Sequence, residues 1–278
     1  MTETTQDFTV QTLLDVLSLE TIDDDLFRST CAPPGAPRLF GGQVAAQALV
    51  AATNTVDDSS RVHSLHSYFL RPGITGVPVV FRNERLHDGS TFRRRRVTAV
   101  QHGKPILSLD CSFTTDRTAL EYQEPMPQRL APEECPALEW PDTANGFNAW
   151  QPFEFRRAPA PGQSTGDLVD RFSGDLWFRL RATEGEGRPA TAVLTYLSDL
   201  TLAAAVLGPT GRTDVAGMTS LDHVMWFHEP ARFDDWLLYA KNSPAVGPLR
   251  GLAQGRLYTR SGALMASVAQ EGLIHGTQ

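Results

Sequence analysis

Residues 62–72 read VHSLHSYFLRP, and residues 220–230 read SLDHVMWFHEP. Both are alternating, β-branched and aromatic-rich runs closed by a proline, the pattern of a strand with a defined end. The closing prolines, Pro72 and Pro230, stand 158 positions apart. A second pair of stretches rhymes at nearly the same offset. RRVTAVQHGKPILSLDCSF covers 95–113 and GRLYTRSGALMASVAQEG covers 255–272; superposing Gly103 on Gly262 gives an offset of 159. Each has a strand, a short polar turn with glycine and a second strand, which is a hairpin signal. Two matches whose offsets differ by one point to an internal duplication.

Upstream of each strand set lies an apolar helix. The first is expected from about Gly42, through QVAAQALVAATNTV, after Gly41-Gly42. The second is expected from about Pro189, through PATAVLTYLSDLTLAAAVLG, with Pro in its first turn and Gly208-Pro209 after its end. DLFRS (25–29) and DLWFRLR (175–181) would be the leading strands. Helices this apolar must be buried nearly all round, and wrapping an antiparallel sheet about each one achieves that. The expected class is α+β: two tandem helix-wrapped-by-sheet units, 8–116 and 150–275. Residues 117–149 form a proline-rich linker whose surroundings, Trp140, Phe147 and Trp150, suit packing on the surface.

With 278 residues and 41% apolar side chains, the chain has enough material for a proper core. A formal charge of −7 argues against a nucleic-acid partner. Three cysteines, Cys31, Cys111 and Cys135, have no metal-like spacing and fit a reducing compartment. Neither MTETTQDFTV at the start nor IHGTQ at the end carries a targeting pattern, and no run approaches the apolar length of a membrane helix. A cytoplasmic protein without membrane insertion is the expectation.

Ser220, Asp222, His223 and His228 crowd one short stretch and invite a triad or a zinc site. If 219–230 is one strand, side chains alternate between its faces. Ser220, Asp222, Val224, Trp226 and His228 then point one way and Leu221, His223, Met225 and Phe227 the other. On that reading neither a Ser220–His223 dyad nor a His223–His228 metal pair can form, and no metal is expected. Asp199, in YLSDLTLAAAVL, is costly in such surroundings unless exposed, paired or functional; the alternative is that Ser198 or Asp199 caps a helix starting there. Gln270, in SVAQEGLI, shares a strand face with Val268 and would have to satisfy both ends of its amide if buried; otherwise it faces solvent beside Glu271.

The ordered motifs FGGQVAAQAL, HSLHSYFLRPG, LHDGSTFRRRRVTAVQHG, LSDL, SLDHVMWFHEP, WLLYAKNSP and RGLAQGRLYTRSGALMASVAQEG together resemble the acyl-CoA thioesterase II (TesB-like) family across both halves. The resemblance implies a double hotdog fold, which agrees with the repeat. It also implies a catalytic trio of Asp199 in LSDL, Ser220 in SLDH and Gln270 in AQEG, no cofactor, and an acyl-CoA substrate. The expected reaction is hydrolysis of the thioester by water that Asp199 deprotonates and Ser220 and Gln270 hold. Gly42 and Gln43, opening the first helix, are candidate substrate contacts through free N–H groups. In the basic run Arg93 to Arg96, Arg95 is a candidate for the coenzyme A phosphates; the alternative is a solvated face balancing local acids. Hotdog units bury a sheet face against another copy; the duplicated chain already supplies one such pair, and a further homo-oligomer, dimer or tetramer, is expected. Two rivals remain: another acyl-thioester enzyme such as a hydratase, whose Asp-His helix pair has no counterpart beside Asp199, and a non-catalytic acyl-CoA sensor.

Overall fold

The computed structural model describes residues 8–30, 38–115, 121–139, 149–163, 172–182, 188–211 and 215–276. Cys31, Trp140 and Phe147, named above, lie outside them. The first half runs α1 (Val10–Leu17), β1 (Leu19–Asp23), β2 (Leu26–Ser29), α2 (Gly41–Thr53), β3 (Arg61–Phe69), β4 (Val80–Asp88), β5 (Phe92–Gln101) and β6 (Lys104–Thr114). The second runs β7 (Phe153–Arg157), β8 (Leu176–Leu180), α3 (Arg188–Thr201), β9 (Val215–Ser220), β10 (Asp222–Phe227), β11 (Leu237–Val246), β12 (Arg250–Thr259) and β13 (Leu264–Gly276). Both expected leading strands and both helices are present. The short helix α1, started by Thr9 accepting from the Thr12 N–H, was not anticipated.

The strands form one antiparallel sheet. From its centre, β3-β6-β5-β4-β2 on one side mirrors β10-β13-β12-β11-β8 on the other. The two halves join where β3 pairs β10, and His66 lies opposite Val224. Those two positions are themselves 158 apart, the repeat offset. Leu65 therefore pairs Met225, and Ser67 pairs His223, as a twofold through the His66–Val224 pair requires. The duplication read from two prolines is thus a near-symmetry of the fold, a double hotdog. Its hairpins turn where expected: His102 and Gly103 both have positive φ (48° and 73°), as does Gly262 (97°), conformations that a glycine adopts at little steric cost.

Helix α2 is Ala-rich and almost wholly buried, which lets it lie close against α3. A Cβ on Gly42 would stand 2.8 Å from the Tyr196 carbonyl oxygen and 2.6 Å from the Phe40 ring, so only glycine permits that approach. Gly41 meets Asp199 near the end of α3, while Thr53 and Pro189 line one cleft at the opposite end. The two helices are therefore antiparallel. The helix expected to continue to Gly208 stops at Thr201 and gives way to 3₁₀ turns at Ala203–Val206 and Gly208–Thr210. The Lys241 ammonium donates to the Thr201 carbonyl and hydroxyl at that point, satisfying a helix-end acceptor.

Two further expectations need correction. Pro189–Thr210 is long and apolar enough, at a mean hydropathy of 1.6, to cross a membrane, although 72% of its most apolar window is buried inside the protein. Core helices of soluble proteins have this character too. The segment 219–230 is also not one strand: β9 ends at Ser220 and β10 begins at Asp222. Of the linker, residues 121–139 are fastened to the second half, through Trp177 Nε1 to the Leu130 carbonyl (2.8 Å) and the Arg260–Glu133 ion pair (2.8 Å). Trp150 packs on the main core.

Candidate active site

Four polar side chains meet between the end of α3, the junction of β9 and β10, and β13. Asp199 lies in the last turn of α3, only 7% exposed, and Gln270 on β13 is 1% exposed. Asp199 is therefore no cap, and Gln270 shares the buried face with Val268. Gln270 Nε2 donates to Asp199 Oδ1 at 2.8 Å and also to the Ser220 hydroxyl oxygen. A carboxylate only accepts, so its charge fixes which end of the amide faces it. Gln270 Oε1 is thereby turned to His223, whose Nδ1 stands 3.2 Å away. The other ring nitrogen, Nε2, lies 2.8 Å from Ser198 Oγ, which donates to the Thr195 carbonyl at 2.8 Å. Burial lowers the pKa of His223, against the pull of Asp199 and of the Gln270 hydrogen bond.

Strand alternation excluded a Ser220–His223 dyad, and the two side chains do not bond each other, but the structure places His223 beside Gln270, where the sequence reading gave it no role. Ser220 pairs with Gly272 on β13, but Val224 pairs with Ala269; the register slips by one at Leu221. Such a bulge re-aims the side chains on either side of it, so Ser220 and His223 both reach Gln270, which joins them. The signal available in the sequence was burial: His223 sits on a face with Met225, and a histidine on an apolar face needs partners for both nitrogens. Asp222 has a plainer task, accepting from the Glu271 N–H (2.7 Å) and so anchoring β13 beside Gln270. His228 bonds Ser267 Oγ at 2.9 Å, far from this group, and no metal-binding cluster occurs among the described residues.

The start of α2 closes the site. A Cβ on Gly41 would stand 3.2 Å from Asp199 Oδ2 and 2.9 Å from the Phe69 ring. Phe40, the residue preceding the helix, makes no side-chain cap bond, so the first-turn N–H groups face this region without one. Gly42 is turned to Tyr196 and Phe40, and the Gln43 side chain is buried at 2% exposure with its Oε1 unpartnered. Tyr239 donates to the Ser198 carbonyl at 2.8 Å. Burial and the Asp199 charge both raise its phenol well above the ordinary value, which keeps it a donor.

Arg95 is not at this site. It is 1% exposed and all five of its N–H donors are taken: by Thr55 Oγ1, the Thr55, His87 and Arg94 carbonyls, and Asp88 at 2.7 Å. None is left for a phosphate. Alternation explains it, for Arg95 shares the inward face of β5 with Val97 and Ala99. Arg93 binds Asp57 and Arg96 binds Asp110, while Arg94 is exposed.

An antiparallel sheet wrapped around two antiparallel helices, with a buried acid and amide and a half-buried hydroxyl converging at a helix start, defines a double-hotdog protein. Residues 29–114 match the acyl-CoA thioesterase N-terminal domain, and residues 132–274 match the C-terminal domain of the same family. The chain is 40% identical to acyl-coenzyme A thioesterase 8 of Homo sapiens, over 93% of this chain and 87% of that one. Acyl-CoA thioesterase II TesB2 from Mycobacterium marinum superposes with a TM-score of 0.80 at 35% identity, covering 96% of this chain and 99% of the other. A hot dog fold protein from Alicyclobacillus acidocaldarius, at 17% identity and a TM-score of 0.78 over 96% and 99% of the two chains, shares the fold. The chain belongs to the acyl-CoA thioesterase family.

Proposed function

We propose that the chain hydrolyses acyl-CoA thioesters to a fatty acid and CoA, with Asp199 as the general base. The observation that carries this is the convergence of the Asp199 carboxylate and the Ser220 hydroxyl on the Gln270 amide, beside the start of α2. A water held there loses its proton to Asp199 as its oxygen bonds to the thioester carbon. The carbonyl electrons move onto oxygen, and the first-turn N–H groups of α2, including those of Gly42 and Gln43, receive that charge. When the oxyanion collapses, the carbon–sulfur bond breaks and the proton passes from Asp199 to the departing thiolate. Ser220 and Gln270 aim the water, and His223 keeps the Gln270 amide from turning over. His223 is not a hydratase acid: both its nitrogens are engaged behind Gln270, out of reach of substrate.

The exposed Tyr68 and Trp226 (62% and 39%) on the strands where the halves join support assembly into a homo-oligomer, which light scattering would measure as a mass above that of one chain. Buried free thiols at Cys111 and Cys135 fit a reducing compartment and support a cytoplasmic location.

Thiol release from acyl-CoAs of two to eighteen carbons tests the central reading. Wild type should release CoA, and Asp199→Asn should lose about 10³-fold in kcat with unchanged circular dichroism. Tight acyl-CoA binding without release from any substrate would favour the sensor reading instead.

A further inference from the structure

The near-twofold that relates the halves also relates the two ends of the helix pair, and the end opposite Asp199 holds an open cleft of about 700 Å³. It lies between α1, the end of α2, the start of α3 and residues 227–231. Its walls correspond to those of the candidate active site. Phe227, at the 158 offset from Phe69, borders the start of α3 as Phe69 borders the start of α2. Val62 takes the place of Ser220, Leu65 that of His223, and Cys111, at the hairpin offset of 159, that of Gln270. Even the bulge is repeated: β3 slips register between Val62 and Ser64, so His63 occupies the place of Leu221. The cleft is a second copy of the site in which the places of Ser220, His223 and Gln270 are held by Val62, Leu65 and Cys111.

What remains suits an alkyl chain. Leu14, Leu17, Leu49, Val50, Val62 and Phe227 line the cleft, and its volume lies in the range of small-molecule sites. His63 also lines it, with Nε2 buried and without a hydrogen-bond partner, a position that a carboxyl group would satisfy. Asp58, Glu229 and Arg61 are among the lining residues, two carboxylates to one guanidinium, far short of the positive field that the several phosphate charges of CoA would need. We propose that this cleft binds a free fatty acid, chain inward and carboxyl at His63, without hydrolysing any thioester.

The choice of ligand class rests on the thioesterase reading above; the site itself does not. Calorimetric titration with dodecanoate tests it on the full-length protein. Val50→Trp, which fills the cleft, should weaken the dodecanoate component by at least about tenfold, while kcat/KM for acyl-CoA stays within about twofold. His63→Leu, which keeps bulk but removes the polar nitrogen, should weaken it several-fold and serves if Val50→Trp does not fold. Asp199→Asn should leave it intact. Dodecanoate binding equal in wild type and both cleft variants overturns the proposal. Parallel loss of binding and hydrolysis in Val50→Trp also overturns it, by making the cleft part of the catalytic channel. Should wild type hydrolyse no acyl-CoA while Val50→Trp still abolishes dodecanoate binding, the thioesterase reading fails and the site stands. Competition by dodecanoyl-CoA as strong as by dodecanoate would overturn the choice of the free acid.

Discussion

At matching places on their central hairpins the two halves bury opposite kinds of polar arrangement. Across β5 and β6, Arg95 faces Cys111; across β12 and β13, Ala253 faces Gln270. Arg95 spends every donor on carbonyls, a hydroxyl and Asp88, and nothing is left over. Gln270 is also fully bonded, but its partners, Asp199 and Ser220, are groups able to exchange it for water and substrate. Burial of a polar side chain therefore does not mark function. What separates the two is the kind of partner: three of the five bonds of Arg95 end on backbone carbonyls, which cannot move away, whereas both Gln270 N–H bonds end on side chains that have chemistry of their own.

Breaking the second arrangement should cost activity, and breaking the first should cost stability. Gln270→Ala should lower kcat by about 100-fold, since it removes the donor that orients the water and leaves Asp199 and Ser220 without their shared partner. A drop no larger than a few-fold would show that Gln270 is only structural. His223→Leu should lower kcat by about tenfold with KM little changed, because the Gln270 amide is then free to turn over. His223→Asn, able to donate to Oε1, should recover part of that loss. Arg95→Ala should cost about 1–3 kcal/mol of stability by leaving buried carbonyls unpaired, with KM for acyl-CoA unaltered. A KM that rises several-fold in a folded Arg95→Ala protein would restore it as a phosphate contact.

The smallest effect expected is on the pH dependence of stability. The folded protein holds His223 below its unfolded pKa of about 6.5. Below that value the unfolded chain takes up a proton that the folded one resists, so stability present above it falls as pH drops toward the lower folded value. Denaturant titrations between pH 7 and pH 5 should show this slope in wild type and a shallower one in His223→Leu.

Much of this was legible in the chain. Two prolines and two glycines located the duplication, because strand ends and hairpin turns restrict which residues can stand there. Asp199 and Gln270 were visible as polar residues in apolar surroundings, and the family resemblance tied Ser220 to them. The bulge at Leu221 was not legible, since no glycine or proline marks it, and His223 was lost with it. Arg95 was misread for a different reason. Four consecutive arginines look like one patch, while a strand sends alternate members to opposite faces, and Arg95 shares its face with Val97 and Ala99.

The account claims that the thioester reacts at the end of the helix pair where Asp199 meets Gly41, and not at the other end. A crystal structure with a non-hydrolysable acyl-CoA ketone analogue tests that most directly. The carbonyl oxygen should lie within hydrogen-bond reach of the first-turn N–H groups of α2, its carbon facing Asp199, Ser220 and Gln270. A carbonyl lodged between Val62 and Phe227 at the opposite end would contradict it.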